Sequence, residues 1–366
     1  MSNSAADNAF AVPVGSYDVH VGAGLLDGAA EIIRTAAPAH RYAIISDENV
    51  APLYAARLRE ALGIAQTELY TIPAGESAKT REQWARLTDA LLAAGFGRDT
   101  TILALGGGVI GDLAGFVAAT YMRGIPFVQL PTTLLAMIDA SIGGKTGVDT
   151  RAGKNLVGAF HRPRAVIADP SVLATLPANH LRAGLAEAIK HGAIAEASYY
   201  LSVEDALPSL LADPVDDAMR ALILRSVEIK ASIVLQDERE GGIRRNLNFG
   251  HTLGHAIESE SGYALLHGEA IAIGMVLEAL LGELLGITAP GTASRVRETV
   301  ARAGLPYSVP PHLDANRLLS ATRGDKKARE GVVEYALIAE IGRAIAGVRA
   351  PDDAVLQTLT QPAGSQ

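Results

Sequence analysis

The sequence predicts an α/β domain built on a parallel sheet, followed by a mostly α-helical domain. Before Pro177, short β-branched runs alternate with amphipathic runs at helical spacing, an order that gives parallel strands covered by helices. After Pro177 the apolar residues recur at helical spacing as far as Arg302, with few strand signals. The expected domains are therefore residues 1–178 and 179–366.

The elements of the first domain follow from these two periodicities. Apolar and β-branched runs predict strands at Arg41–Ser46, Thr67–Ile72, Thr101–Leu105 and Phe127–Leu130. Apolar stripes at helical spacing predict helices at Val50–Leu62, Arg81–Ala94 and Leu113–Tyr121. Near the end of the chain, Val332–Ala339 and Ala344–Val348 predict a small hairpin.

Composition excludes several classes of protein. The chain has 366 residues, of which 49% are hydrophobic and 20% are charged, which is typical of globular domains with their own cores. The net charge of −8 argues against a nucleic-acid binder, because such proteins carry a broad basic surface. The absence of cysteine excludes disulfides, thiolate nucleophiles and cysteine-ligated zinc. A metal ion would therefore need histidine and carboxylate ligands.

No segment of the sequence predicts export or a membrane span. Residues Met1 to Val12 have neither a basic region nor an apolar core of the kind that signal peptides carry, which indicates a cytoplasmic protein. The longest apolar stretch, Ala270–Ile287, contains Glu278 and Glu283. A membrane span would have to bury both carboxylates, so a buried or dimer-facing helix is the better interpretation.

A glycine-rich turn predicts a Rossmann-like nucleotide site. The run Gly106–Asp112 follows a strand and opens a helix, so its backbone amides can approach a pyrophosphate at the positive end of that helix. Its spacing, GGGxxGD, differs from the common GxGxxG fingerprint. Asp47 and Asn49 follow the first predicted strand, and Glu76 and Lys79 occupy another strand-to-helix loop. Helix capping or solvation is the alternative interpretation of these four residues.

Three segments together predict a metal site. His251 and His255 are four residues apart in a predicted helix and so share one face, and His267 follows after a short loop. Glu187 can add an oxygen ligand, and Lys190 shares its helix face. The alternative is that the two spaced histidines are ordinary surface or core residues. Zinc with an open coordination position is the metal that these ligand types favour.

Basic residues in turn-like settings complete the candidate site. On an otherwise acidic chain they can bind a phosphate and a carboxylate of one ligand. They are Arg123, Lys145, Lys154, Lys190, Lys230, Arg244, Lys326 and Lys327.

With these motifs in place, the chain resembles the 3-dehydroquinate synthase family, which belongs to the sugar-phosphate cyclases. The resemblance runs from Asp47 to Lys327 and covers most of the sequence. Its specific runs are Gly106–Phe116, Pro131–Leu135, Asp139–Gly147, Gly153–Asn155 and Asn248–His255.

The resemblance implies a role for each candidate residue. The metal ligands would be Glu187, His251 and His267, with His255 on the substrate side, a distinction that spacing alone leaves open. The NAD site would comprise Asp47, Asn49, Glu76, Lys79, Gly107, Gly108, Asp112, Thr132 and Thr133. The catalytic and substrate-binding residues would be Arg123, Asp139, Lys145, Lys154, Asn155, Lys190, Lys230, Glu240, Arg244, Asn248, His255 and one or both of Lys326 and Lys327.

The implied reaction converts 3-deoxy-D-arabino-heptulosonate 7-phosphate into 3-dehydroquinate and phosphate. It combines transient oxidation by NAD, phosphate elimination, re-reduction and an intramolecular aldol closure, with zinc or cobalt as the metal. The resemblance also implies a homodimer. The alternatives are a sedoheptulose 7-phosphate cyclase and a metal-dependent polyol dehydrogenase. The density of anion-binding side chains favours the synthase over the dehydrogenase, because a simple polyol has no charge for them to bind.

Overall fold

The computed structural model describes residues 9–151, 153–323 and 333–360. The chain forms two compact units. Met1–Leu176 and Pro214–Leu235 contribute to the first unit, and Pro177–Asp213 and Gln236–Gln366 contribute to the second. The chain therefore leaves the first unit at Pro177, returns to it at Pro214 and leaves it again after Leu235.

A mostly parallel sheet is the centre of the first unit. In chain order the strands are β1 (Phe10–Val14), β2 (Tyr17–Val21), β3 (Arg41–Asp47), β4 (Thr67–Ile72), β5 (Thr100–Gly106), β6 (Phe127–Pro131), β7 (Lys145–Thr150), β8 (Gly153–Phe160) and β9 (Ala165–Ala168). Among the described residues, seven of them form one sheet in the order β1-β2-β9-β6-β5-β3-β4. Only β1 and β2 pair antiparallel within it, so the predicted parallel sheet is confirmed.

Helices follow the strands as the alternating sequence pattern predicts. In the first unit they are α1 (Leu25–Ala36), α2 (Ala51–Leu62), α3 (Arg81–Ala93) and α4 (Gly108–Thr120). Buried side chains of α3, α4, β3 and β5 form one continuous apolar core. The four strands predicted for this unit, which are β3, β4, β5 and β6, agree with the structure to within a residue or two. The first two predicted helices, α2 and α3, agree equally well.

Helix α4 begins at Gly108, earlier than the predicted start at Leu113. Glycine disfavours a helix interior by about 1 kcal/mol relative to alanine, so the glycine run looked like a turn. The structure gives the reason for glycine inside the helix. A Cβ atom on Gly111 would lie 2.5 Å from Oε1 of the buried Gln129 on β6, so a larger residue there would displace the Gln129 side chain.

Two hairpins are absent from the sequence prediction. Strands β1 and β2 alternate buried and exposed residues on either side of the turn at Gly15, with Tyr17 and Val19 buried. Strands β7 and β8 pair antiparallel, with Lys145 opposite Phe160. The second hairpin is rich in glycine, which lowers its strand propensity and conceals it in the sequence.

The second unit is mostly helical, as predicted. Its helices are α5 (Ala178–Ala195), α6 (Ala197–Ala212), α8 (His251–Glu260), α9 (His267–Leu284), α10 (Thr292–Arg302), α11 (Ala315–Arg323) and α12 (Asp352–Thr360), whereas α7 (Asp217–Gln236) belongs almost entirely to the first unit. Strands β10 (Tyr335–Glu340) and β11 (Arg343–Val348) form the predicted late hairpin, although Val332 lies outside the described residues.

Glycine contacts bring three helices of the second unit close together. A Cβ atom on Gly274 of α9 would overlap the carbonyl oxygen of Gly250, directly before α8, and one on Gly268 would overlap that of Ala183 on α5. Helix α9 therefore packs backbone to backbone against both neighbours. None of the helices in the described part of the chain is long and apolar enough to span a membrane.

Candidate active site

Three imidazoles meet at the point where α8 and α9 begin. His251 is the first residue of α8, His255 lies one turn later on the same face, and His267 is the first residue of α9. Their ring centroids are 5.2, 5.4 and 5.8 Å apart. One nitrogen from each ring lies within 4.8 Å of the other two. Such a group can share one cation.

A buried carboxylate completes this group. Glu187 on α5 is fully excluded from solvent, and its Oε1 atom lies 3.5 Å from Nε2 of His267 and 3.8 Å from Nε2 of His251. Its other oxygen pairs with Lys190, one helical turn along α5. Ligands around one tetrahedral ion with bonds of 2.0–2.1 Å lie about 3.4 Å apart, so these spacings suit a zinc-type centre.

The far sides of two rings are held in the orientation that metal ligands need. Nδ1 of His251 donates to the carbonyl oxygen of Phe249 at 3.1 Å, and Nδ1 of His267 lies 3.6 Å from Oε2 of Glu258. Both arrangements direct Nε2 towards the centre. Burial alone would lower the pKa of His267, but the carboxylates of Glu187 and Glu258 outweigh it and raise that pKa to about 9. The same negative environment favours a divalent cation.

The contacts of Glu187 bear on which of the three histidines are metal ligands, a question that sequence spacing leaves open. Glu187 approaches His251 and His267, which favours these two as ligands. His255 lies beside both of them and is half-buried, a position that suits a side chain facing the open coordination position.

The predicted nucleotide residues lie at one edge of the parallel sheet. Asp47 ends β3, Gly107 follows β5, and Thr132 and Thr133 follow β6. These are the carboxyl ends of three adjacent strands. The chain places β4 on one side of β3 and then β5 on the other, so the strand order reverses here. Ligands of open α/β sheets bind at such switch points.

The beginning of α4 has the properties of a phosphate site. The first backbone amides of a helix have no acceptor within the helix. Gly107, which precedes α4, has no side chain that could accept from them. A Cβ atom on Gly107 would lie 3.1 Å from Cγ2 of Thr133, so a side chain would crowd this approach. The buried hydroxyl of Thr132 has no hydrogen-bond partner among the described residues. An anionic ligand would satisfy both groups.

Asp47 forms a turn directly before α2 but does not cap it, because the N-cap position of that helix, Val50, has no side-chain cap bond. The Oδ1 atom of Asp47 accepts hydrogen bonds from the backbone amides of Asn49 at 2.9 Å and Val50 at 3.0 Å, directly before α2. Both bonds use the same oxygen. The second carboxylate oxygen of Asp47 can therefore still bind a ribose hydroxyl.

Lys79 is buried and joins two other predicted nucleotide residues in one cluster. Its Nζ atom lies 2.6 Å from Oε1 of Glu76 and 3.4 Å from Oδ2 of Asp112, and its side chain is 5% exposed. Burial opposes the charged form of Lys79, but the neighbouring carboxylates outweigh it and raise its pKa. Burial raises the pKa of Asp112 to about 6 despite Lys79. The cluster holds fixed charge where the cofactor is expected.

Asp149 is a member of this cluster that the sequence analysis missed. It lies on β7, with Oδ1 3.7 Å from Nζ of Lys79, and it accepts a hydrogen bond of 2.9 Å from the backbone amide of Asn155. Lys154 lies 3.7 Å from Glu76. The β7–β8 hairpin thus links predicted cofactor residues to predicted substrate residues. The available signal was an acidic residue inside the glycine-rich run that precedes Asn155.

Three predicted substrate residues have unusual backbone conformations. Arg123, Asn155 and Glu240 have φ angles of 67°, 54° and 61°, a region that residues other than glycine rarely adopt. Such strain persists where the surrounding structure fixes it, and it clusters at functional sites. It supports a binding role for these three residues independently of the motifs. Arg123 is exposed, and Met122 before it has a φ of 49°.

The remaining predicted residues of the first unit include one closely paired set. Nζ of Lys230 on α7 donates to Oδ1 of Asp139 at 2.7 Å, so two residues that are distant in sequence lie side by side. Lys145 is exposed at the start of β7.

A short loop of the second unit carries three more. Asp237, which the sequence analysis did not single out, accepts backbone hydrogen bonds from Gly241, Gly242 and Arg244. These bonds fix the loop that contains Glu240. Oε1 of Glu240 accepts a hydrogen bond from Nδ2 of Asn248 at 2.8 Å. Arg244 is 2% exposed. Lys326 and Lys327 lie outside the described residues.

Comparison with known proteins identifies the family of the chain. The family model described as the N-terminal part of 3-dehydroquinate synthase matches residues 69–183, and the model of the C-terminal part matches residues 184–328. The chain belongs to the 3-dehydroquinate synthase family. A 3-dehydroquinate synthase from Rhodospirillum rubrum is 45% identical over 353 residues, which cover 94% of this chain and 91% of the relative.

Two solved structures share the whole fold. The 2-epi-5-epi-valiolone synthase ValA from Streptomyces hygroscopicus subsp. jinggangensis, with NAD⁺ and Zn²⁺ bound, has a TM-score of 0.86 at 32% identity, covering 96% of this chain and 97% of that one. A 2-deoxy-scyllo-inosose synthase complexed with carbaglucose-6-phosphate, NAD⁺ and Co²⁺ has a TM-score of 0.85 at 25% identity, covering 96% of this chain and 99% of that one. The α/β and helical architecture is therefore that of the sugar-phosphate cyclases.

Proposed function

We propose that this chain is a 3-dehydroquinate synthase that converts 3-deoxy-D-arabino-heptulosonate 7-phosphate into 3-dehydroquinate and phosphate, using NAD and a divalent metal ion. The observation that carries the proposal is the grouping of Glu187, His251 and His267 in a chain that belongs to this family. The pathway is then the shikimate route to aromatic amino acids.

The donor set supports zinc or cobalt as the metal. Glu187 supplies a carboxylate oxygen, and His251 and His267 supply imidazole nitrogens, which both metals accept. The orphaned hydroxyl of Thr132 and the uncapped start of α4 support NAD at the edge of the sheet. When bound, the two groups supply a reversible hydride acceptor and an electrophile that polarises a substrate hydroxyl.

The chain's own residues provide binding, orientation and fixed charge. We assign the phosphate and carboxylate of the substrate to the predicted cations, which bind anions by charge-assisted hydrogen bonds. Lys230 is held by Asp139, so its ammonium group is oriented before substrate binds. Fixed charges of this kind stabilise the anionic intermediates that elimination and aldol closure require.

Four assignments stay predictions. The domain division at 178/179 follows from the change in apolar periodicity after Pro177, and the roles of the individual site residues follow from the sequence resemblance. The homodimer and the cytoplasmic location also rest on the sequence alone.

The decisive experiment is phosphate release by the metal-loaded protein with NAD. The two substrates are 3-deoxy-D-arabino-heptulosonate 7-phosphate and sedoheptulose 7-phosphate, and absorbance reports any accumulating NADH. We expect release from the first substrate alone, without net NADH. Release from the second would identify a sister cyclase. Accumulation of NADH without phosphate release would indicate a dehydrogenase.

A further inference from the structure

Glu278 is a buried carboxylate that the proposed chemistry does not use. It lies in the apolar helix α9, about three turns after His267, and its side chain is fully excluded from solvent. A buried carboxylate costs free energy unless hydrogen bonds compensate it. The position of those bonds therefore indicates what the residue does.

Both oxygens of Glu278 bind the first turn of α8. Oε2 accepts from the backbone amide of Gly250 at 2.7 Å, and Oε1 accepts from that of Leu253 at 3.0 Å. These two amides lie on either side of His251 in the sequence. Gly250 has no side chain to cap the helix, so a residue from a neighbouring helix does so.

Close backbone contacts around this cap fix the position of α8 relative to α9. Gly250 has a φ of 80°, and a Cβ atom there would lie 2.9 Å from the backbone nitrogen of Met275. Gly274 packs against the Gly250 carbonyl oxygen in the same way. Helix α9 thus carries His267 at its first position. About three turns later, it binds the N-terminal turn of α8, where His251 lies.

We propose that Glu278 is a positioning residue of the metal centre, which fixes His251 relative to His267 by binding the first-turn amides of α8. The inference rests on the proposed function, since it takes these histidines as metal ligands. Without the clamp, the first turn of α8 loses its cap and the two imidazoles lose their fixed separation. Metal affinity then falls although every ligand is present.

The same helix supplies a matched control. Glu283 also lies on α9, and its Oε1 accepts from the backbone amide of Ala293 at 2.8 Å, in the first turn of α10. Helix α10 carries none of the proposed metal ligands. Substitution of Glu283 therefore reports the cost of losing an inter-helix cap by itself.

The experiment compares the unchanged protein with Glu278→Gln and Glu283→Gln. A glutamine keeps the shape of the side chain, but its NH₂ group cannot accept a hydrogen bond. The metal-free proteins are titrated with Co²⁺, and the dissociation constant, the visible absorption of bound Co²⁺ and the thermal midpoint of the metal-free form are measured. We expect both variants to melt earlier. Only Glu278→Gln should weaken Co²⁺ binding, by about 10-fold or more, and change the visible spectrum.

Equal dissociation constants and spectra for the two variants would overturn the inference. If Glu278→Gln does not fold, Glu278→Asp and Glu283→Asp make the same comparison with the charge retained, because aspartate is too short to reach both amides. Failure of the unchanged protein to bind Co²⁺ would instead overturn the proposed metal-dependent function. The two failures are therefore distinguishable.

Discussion

Replacement of Lys79 by methionine removes a buried cation from a set of partly buried carboxylates. Nζ of Lys79 lies 2.6 Å from Glu76, 3.4 Å from Asp112 and 3.7 Å from Asp149, and the side chain is 5% exposed. Removing one partner of a buried ion pair costs about 3–5 kcal/mol, because the remaining charge has no compensation. For a unit of this size we expect the melting temperature to fall by roughly 10 °C.

The loss should depend on pH in a defined direction. Burial raises the pKa of Asp112 to about 6 from its ordinary value of 3.8, and Lys79 opposes this rise. Without Lys79 the pKa of Asp112 rises further. An acid whose pKa is raised on folding stabilises the fold at low pH, and this contribution is lost as the pH rises through the folded-state pKa. The loss of stability in Lys79→Met, relative to the unchanged protein, should therefore be small at about pH 5 and large at about pH 8.

Thermal unfolding of the NAD-free protein at both pH values measures the effect. Arg57→Met is the control, because Arg57 and Asp27 form an ion pair in which both side chains are more than half exposed. Such pairs contribute about 0–1 kcal/mol. A similar loss for both variants, or a deficit for Lys79→Met that is the same at both pH values, would refute the reasoning.

Three further predictions concern the second unit. Glu258→Gln should weaken metal binding about 10–100-fold by releasing His267, which competition with a chromophoric chelator would measure; unchanged affinity would contradict this role. His255→Ala should retain the metal but lower kcat, so loss of the metal would make His255 a ligand. Gly274→Ala should lower stability by at least about 1–3 kcal/mol, because its methyl group would overlap the Gly250 carbonyl oxygen; urea unfolding measures this, and unchanged stability would refute the packing argument.

The regular strands were the most predictable part of the fold. Buried parallel strands are continuous apolar runs, so β3 and β5 could be located within a residue from the sequence. The start of α4 could not be, because its glycines lower its helix propensity and the tertiary contacts that they allow are not visible in any local pattern. The β7–β8 hairpin was concealed because its glycines lower its strand propensity.

The site was predictable where a motif has its own chemistry. The spacing of His251 and His255 indicates a shared helix face, and Glu187 was a candidate oxygen ligand before the resemblance selected it. The supporting carboxylates were not predictable in this way. Asp149 and Glu258 act through contacts that appear only after folding, and an isolated acidic residue in a sequence usually indicates a solvated surface.

The return of the chain to the first unit affects the order in which that unit can form during synthesis. Helix α7 supplies Lys230, whose bond to Asp139 joins segments that the ribosome makes far apart. Residues up to Leu176 emerge first and must wait until Leu235 has left the exit tunnel before their unit is whole. During that interval the segment Pro177–Asp213 is already exposed, so a nascent chain stalled there would present an unfinished nucleotide half to chaperones.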